Sequence, residues 1–349
     1  MKIKVVAEHP LERIVLALGL APVTLVDTHM SFLRARAIMV GTKLGVFDAL
    51  AAGPRTAKQI ATTCGTDPHA TVKLLSALVG SGYVAQGGVD YSLTAVARKW
   101  ALTDSPQSLR DKILFEFIEW KIVEGVEDYV RTGRPADLHG GNDPEEWRLY
   151  QRAMRALAGM AAPEVVKLIP VPPGATAMLD IGGSHGFYSV CLCRKHPGLS
   201  SVILDLPDAV AQAAPILARE NMGDRVRHRA GSALTDDLGD QAWDLVIMAQ
   251  LAHHFDDEAN RRLATRVAQA LKPGGAFVIL ELLRPASAKE SGQVGALLDL
   301  YFALTSQSGT WSVAEMQQWQ RDAGLTVRKP VFLRTMPGAA AVIATRART

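Results

Sequence analysis

The chain has 349 residues, 48% of them hydrophobic, and a formal net charge of +3. This length favours two domains, the apolar content excludes a disordered chain, and a near-neutral balance without charge blocks leaves no footprint for nucleic acid. The three cysteines, Cys64, Cys191 and Cys193, lack metal-ligand spacing, so reduced thiols and a metal-independent protein are expected.

The first notable stretch is the uncharged run Ile14 to Val26. It is too short to span a bilayer and no small-residue cleavage site follows it. It reads as apolar packing surface on a soluble, cytoplasmic protein with no membrane partner. Residues 23 to 52 read as helical, with Leu25, Phe32, Leu33, Ile38, Val46 and Phe47 on the apolar face. Thr56 is a candidate N-cap, with Gln59 three residues on, and Asp67 opens a helix that runs to Gly80. Val84 to Leu93 reads as a two-stranded wing turning at Gly87-Gly88. Helices and a hairpin in this order make a winged helix. A DNA-reading helix needs Arg, Lys, Asn or Gln aimed at base edges, and Asp67 to Gly80 offers only Lys73 among leucines. Residues 1–105 are therefore expected to be a packing and homodimerisation domain.

Residues 106–170 read as a helical connector. Leu109 to Arg131 carries Phe117 and Trp120, and Pro144 to Ala162 carries Trp147, Tyr150 and Met154, with a break at Gly140-Gly141-Asn142. Phe117, Trp120, Trp147 and Met154, joined by His254 and Tyr301 from farther along, are candidates for the wall of an apolar pocket for a small-molecule acceptor. Ordinary helix packing is the alternative.

From residue 171 to 349 strands alternate with helices, the pattern of an α/β, doubly wound sheet with its site at the strands' C-terminal ends. Strands are expected at Ala177 to Ile181, Ser201 to Asp205, Arg225 to Arg229, Asp244 to Met248 and Ala276 to Glu281. Helices are expected at Asp208 to Asn221, Glu258 to Leu271, Val294 to Leu304 and Val313 to Ala323. Val327 to Arg334 and Ala340 to Ala344 close the sheet as an antiparallel pair, with Pro330 a weak point in the first.

The first of these strands runs into Asp180-Ile181-Gly182-Gly183-Ser184-His185-Gly186 and then a helix near Phe187. Glycines there tolerate positive φ and let a ligand approach the backbone, while the helix N-terminus offers free N–H groups. The dinucleotide fingerprint Gly-x-Gly-x-x-Gly fails, because Ser184 and Phe187 stand at its second and third glycines. This disfavours an NAD oxidoreductase. Asp205, ending the second strand, lies where a carboxylate can accept both ribose hydroxyls. A glycine turn without a phosphate-gripping Lys or Arg, plus a ribose acid, suits adenosine without phosphates, and S-adenosylmethionine is the obvious ligand. Asp180, Gly182, Gly183, Gly186, Asp205, Leu206, Gly231, Ser232, Ala233 and Gln250 are the candidate cofactor residues.

The fourth strand leads into Gln250-Leu251-Ala252-His253-His254-Phe255. A histidine just past a strand's C-terminal end can take a proton from a hydroxyl at neutral pH, and Glu281, ending the next strand, could orient it. A satisfied loop histidine without catalytic role is the alternative. His185 reads as a loop residue.

The chain resembles the dimeric small-molecule O-methyltransferases of the plant caffeic-acid and bacterial polyketide-tailoring kind, from about residue 23 to the C-terminus. The resemblance is carried by the winged-helix domain, Leu179 to Gly186, Leu204-Asp205-Leu206-Pro207, His253 to Glu258, Lys272-Pro273-Gly274-Gly275 and Glu281. It implies that Gly182 and Asp205 bind S-adenosylmethionine, that His253 is the general base and that Glu281 flanks it. The chain departs from the family's pattern at three places. Ser232 replaces an acid, and Thr310-Trp311 replaces a second glutamate and a basic residue. His253-His254-Phe255 replaces His-Asp-Trp. Relatives of the fold that methylate carbon or sulfur, or transfer no methyl, and a winged-helix regulator sensing an adenosyl ligand are the rival readings.

Overall fold

The computed structural model describes residues 3–136, 143–284, 287–306 and 308–348. The break expected at Gly140-Gly141-Asn142 lies outside them. The chain forms two compact units, Met1–Phe117 and Ile118–Thr349, so the expected connector is divided between them.

In the first unit three short strands, β1 (Arg55–Thr56), β2 (Val84–Gly87) and β3 (Asp90–Leu93), form an antiparallel sheet in the order β1-β3-β2. Thr56 accepts from the Gln59 N–H at 3.3 Å while the Gln59 side chain accepts from the Thr56 N–H at 2.9 Å, a reciprocal cap that starts the helix Ala57–Cys64. Asp67 accepts from the Ala70 N–H at 2.7 Å and opens the helix Pro68–Gly80. Phe47, Leu50, Ile60, Leu75 and Leu78 are fully buried between these elements. The helix expected over residues 23 to 52 is instead broken. A π-helical turn, Val26–Met30, precedes the helix Ser31–Lys43, and Gly45 at φ +77 separates that from Val46–Ala49. The apolar N-terminal stretch stays uncovered in a single chain: Leu11, Ile14 and Leu18 are 75%, 55% and 66% exposed.

The helix Arg110–Val123 leads from the first unit into the second, and the helical stretch expected to reach Arg131 is interrupted at Gly125 before Val126–Thr132. The long helix Pro144–Leu168 runs straight through Pro163, six residues past its expected end. Proline removes one backbone bond, but the buried stripe Ala158, Ala161, Ala162, Val165 and Val166 continues on both sides of it, so packing outweighs the lost bond.

The second unit is built on strands β4 (Ala177–Ile181), β5 (Ser200–Asp205), β6 (Val226–Ala230), β7 (Trp243–Ala249), β8 (Leu271–Leu282), β9 (Thr326–Val327), β10 (Val331–Phe332) and β11 (Ala339–Thr345). The order is β10-β11-β8-β7-β4-β5-β6, with β9 also paired to β11. Strands β4 to β8 are parallel, and β11 runs antiparallel to β8. Two expectations are corrected. The strand expected over Ala276 to Glu281 begins earlier, at Leu271 directly after the helix Asp257–Ala270, and its pairing with β7 shifts register between Trp243 and Leu245. The strand expected over Val327 to Arg334 is two short pieces, because Pro330 has no N–H to continue the ladder.

Both faces of the sheet are covered. Met178, Ile203, Ile247 and Val278 pack on one side with the long helix and the helix Phe187–Lys195. Leu179, Val246, Phe277 and Ile279 pack on the other with Asp257–Ala270 and Val313–Asp322. Among the polar residues buried in this interior is Asp180, which is 1% exposed. The Ser189 hydroxyl donates to its Oδ2 at 2.6 Å and lies 2.8 Å from the Ser201 hydroxyl, which joins β4, β5 and the helix between them. Burial pushes the Asp180 carboxyl up to about 7 despite that hydrogen bond.

The native state therefore keeps a proton that the unfolded chain releases near 3.8, and the resulting stabilisation is complete below that pH and lost as pH rises through about 7. Asp180→Asn cannot ionise. Its denaturation midpoint, measured in urea from pH 4 to 8, should gain on wild type as pH rises; parallel curves would show that Asp180 carries no such linkage.

Candidate active site

The cradle is the turn from β4 into the helix Phe187–Lys195. Gly182 and Gly186 have φ of +65 and +71, which L-residues with a Cβ seldom adopt. A Cβ on Gly182 would stand 2.7 Å from Leu251, one on Gly183 2.4 Å from the Asp180 carboxylate carbon, and one on Gly186 2.3 Å from Ile203. The protein's own packing thus demands all three glycines. Asp180 lies beneath the turn rather than on its open side. His185, 6% exposed, accepts from the Phe187 N–H at 3.1 Å through Nδ1 and so caps the new helix. Burial, followed by the nearby Arg155 and His228, pushes its pKa down to about 3, which makes it a neutral cap and not a base.

Asp205 sits across the turn at the end of β5. Its two oxygens accept from the N–H groups of Ser184 and Leu206, each at 2.8 Å. Burial raises its pKa against those two bonds. Leu206 is 54% exposed beside it. At the end of β6, Gly231 donates its N–H to the Asp205 carbonyl at 2.9 Å, and a Cβ there would lie 2.3 Å from Asp236 Oδ2. The Ser232 hydroxyl accepts from the Leu234 N–H at 3.3 Å, and the Ala233 carbonyl accepts from Arg266. A carboxylate, that of Asp236, thus lies against Gly231, next to position 232.

Gln151, on the long helix, reaches the same turn: the Ser184 hydroxyl donates to its Oε1. Gln151 is 1% exposed, and its Nε2 has no partner among the described residues. A buried donor left open beside a glycine turn suits a ligand acceptor there. Arg155, one turn along the same helix, is committed to Glu220 at 2.8 Å and lies 3.3 Å over the Phe187 ring, so it is not set to grip phosphate. Together with Asp205 this set fits the adenosine and amino-acid ends of S-adenosylmethionine. The sequence signal for Gln151 was one uncharged polar residue within the run Trp147, Tyr150, Met154, and it went unread.

The second cluster lies past the ends of β7 and β8. Gln250 turns the chain at φ +53, an uncommon conformation for a residue other than glycine, and donates its N–H to the Leu280 carbonyl at 2.8 Å. His253 is 4% and Glu281 0% exposed, and His253 Nδ1 lies 3.0 Å from Glu281 Oε1. The same oxygen accepts from the Leu282 N–H at 3.1 Å. The Gln250 amide, oriented so that both ends are satisfied, donates to it at 3.3 Å and accepts from the Leu282 N–H at 3.1 Å. Gln250 thus holds Glu281, a role the sequence did not suggest. A carboxylate on Nδ1 puts the imidazole proton there and leaves Nε2 able to accept one.

Around His253 the rings close in: His254 at 4.3 Å and Phe302 at 4.5 Å between centroids. Tyr301 meets Phe302 edge-on at 5.5 Å and donates its hydroxyl to Glu119 at 2.7 Å. Trp147 meets Tyr150 edge-on at 5.6 Å. Burial, then the carboxylates of Asp205 and Glu119, raises the Tyr150 phenol. Trp120 and Met154 are half-buried in the same unit. Phe117 belongs to the first unit, where Arg36 and Lys43 lie over its ring at 4.5 and 4.7 Å. Phe302 was missed in the sequence because nothing set it apart from other apolar residues on its helix.

Residues 110–326 match the O-methyltransferase domain family, and residues 26–103 match the O-methyltransferase dimerisation domain. The chain is 27% identical to a 3-hydroxy-5-methyl-1-naphthoate 3-O-methyltransferase of Streptomyces sahachiroi, over 93% of this chain and 94% of that one. It is 25% identical to an N,N-dimethyltransferase of Streptomyces rimosus, over 89% and 93%. The crystal structure of human N-acetylserotonin methyltransferase, in complex with S-adenosylmethionine, superposes with a TM-score of 0.83 at 21% identity, over 99% and 100% of the two chains. Among the described residues no helix is long and apolar enough to cross a membrane. The two family models together cover most of the chain, and the chain belongs to the S-adenosylmethionine-dependent small-molecule O-methyltransferases that dimerise through their N-terminal domain.

Proposed function

We propose that the chain methylates a hydroxyl of a small, largely apolar aromatic metabolite, with His253 as general base. The observation that carries this reading is the buried 3.0 Å contact between His253 Nδ1 and Glu281. A phenol, with an ordinary pKa of about 10, is mostly protonated at neutral pH and needs a base to become a good nucleophile. Glu281 holds the Nδ1 proton and stabilises the imidazolium that forms when Nε2 takes the acceptor's proton. When bound, S-adenosylmethionine supplies an electrophilic methyl group on a sulfonium. Gly182, Gly183, Gly186, Asp205, Leu206, Gly231, Ser232, Ala233 and Gln151 would hold it, with Asp180 supporting the turn from below. Trp120, Trp147, Met154, His254 and Tyr301 would wall the acceptor's rings and exclude water. The relative named as an N,N-dimethyltransferase supports a second acceptor reading, an aromatic amine, which also loses a proton on methylation.

S-adenosylhomocysteine at about 100 times its Kd should stabilise the protein by about 2.7 kcal/mol in a thermal-shift titration, and NAD should do nothing. No response to S-adenosylhomocysteine would remove the cofactor assignment. With a labelled methyl donor and a panel of phenols, hydroxyindoles and matched anilines, His253→Ala should lower turnover by on the order of 10²–10⁴-fold while keeping the thermal shift. Near-wild-type turnover in that variant would eliminate His253 as the base.

A further inference from the structure

Thr310 and Trp311 stand where the family's pattern has a second glutamate and a basic residue, and neither can supply that charge. Their contacts give them a different task. Gly309, at φ +65, turns the chain into this segment. Trp311 then pairs with Leu283 in a parallel bridge just past β8, and its carbonyl accepts from the Arg284 N–H at 2.9 Å. Its indole Nε1 donates to the Ala252 carbonyl at 2.9 Å, one residue before His253. Thr310 is 1% exposed, and its hydroxyl donates to Asp299 Oδ1. Asp299 lies three residues before Phe302 on the helix Ala288–Thr305, hence on the same helical face. That helix is interrupted at Gly292 (φ +58, ψ 179), so backbone bonding from its first turn does not fix the register of the rest.

We propose that Thr310 and Trp311 clamp this helix to the histidine turn, with Asp299 as the positioning residue that seats Phe302 against the His253 ring. The proposal rests on the reading of His253 as base, since that reading gives the ring's orientation its consequence. One end of the clamp is a hydroxyl-to-carboxylate bond on the helix, and the other an indole-to-carbonyl bond on the turn. The first is charge-assisted and partly buried, which makes it stronger than a bond between two neutral groups. The tilted ring contact then limits rotation of an imidazole that Glu281 holds at only one atom. The clamp also explains why a glutamate does not suit position 310 in this chain: it would set a second carboxylate directly against Asp299.

The test uses the intact protein saturated with S-adenosylhomocysteine. The ring C–H resonances of His253, assigned by comparison with His253→Ala, report the ring current of Phe302. Thr310→Val and Asp299→Ala should move these resonances and lower turnover of a phenolic acceptor about tenfold, as expected for a misplaced catalytic group. Thr310→Ser, which keeps the hydroxyl, should leave both as in wild type. Thr310→Glu, which restores the family's residue, should lower turnover as well. The Kd for S-adenosylhomocysteine should stay the same throughout. Unmoved His253 resonances in both Thr310→Val and Asp299→Ala would overturn the clamp, as would a gain of turnover in Thr310→Glu. Loss of the base assignment would appear separately, as retained turnover in His253→Ala.

Discussion

The buried carboxylate of Glu281 is the constraint on which the histidine turn past the ends of β7 and β8 depends. A carboxylate with no exposed surface is costly unless donors surround it, and removing one donor leaves an uncompensated charge. The chain supplies three to a single oxygen: His253 Nδ1, the Leu282 N–H and the Gln250 amide. Each has a structural consequence. Gln250 takes a left-handed backbone conformation, immediately after β7 has run in register with β8 as far as Ala249 opposite Leu280. The histidine turn is then drawn back over the strand ends, where Asn260 and Trp311 both donate to the Ala252 carbonyl. An imidazole fixed in this way has its tautomer settled before any acceptor arrives, which is the preorganisation that proton transfer uses.

A parallel arrangement governs the cofactor side. Glycines in such turns are usually explained by the ligand's need to approach the backbone, yet here Leu251, Asp180 and Ile203 already fill the space a Cβ would need. Leu251 belongs to the histidine turn, so the close approach at Gly182 ties the glycine turn to the histidine turn. Asp180 and Asp205 are both held in sites that raise their pKa by burial, one beneath the turn and one across from it. Asp205, held by the N–H groups of Ser184 and Leu206, gives the cradle its negative character, while Asp180 beneath the turn keeps its proton toward neutral pH. That character suits a sulfonium-bearing, phosphate-free ligand better than a pyrophosphate.

Much of this was legible in the sequence where local chemistry decides the outcome. Strand β4 runs from Ala177 to Ile181, as its apolar run indicates, and Thr56 and Asp67 cap the helices that their spacing to the next polar or helical residues predicts. Local rules failed where tertiary packing overrides them. Pro163 does not end its helix, because the residues on both sides are buried. At the site, His253 and Glu281 could be picked out because both sit at strand ends, where a doubly wound sheet gathers its chemistry. Gln151, Asp299 and Phe302 could not, since each matters through a partner 33, 11 or 49 positions away, a relation that only the folded chain creates.

The same asymmetry explains why the cofactor can be read from this chain and the acceptor cannot. The cofactor side is made of strand ends, turns and backbone N–H groups, whose geometry follows from the sheet and leaves short, local motifs. The proposed acceptor side is made of long side chains on three separate helices: Trp120 and Glu119 on one, Trp147 and Met154 on another, and Tyr301 and Phe302 on a third. Their polar tips bond one another, as in Tyr301 to Glu119, so the wall's hydrogen-bonding face is set by pairs rather than by single residues. A change on any one helix alters which donor or acceptor faces the pocket without disturbing the sheet. Acceptor choice in such a fold can therefore diverge through side chains alone while cradle and base stay in place, and motifs drawn from the sheet carry no record of it.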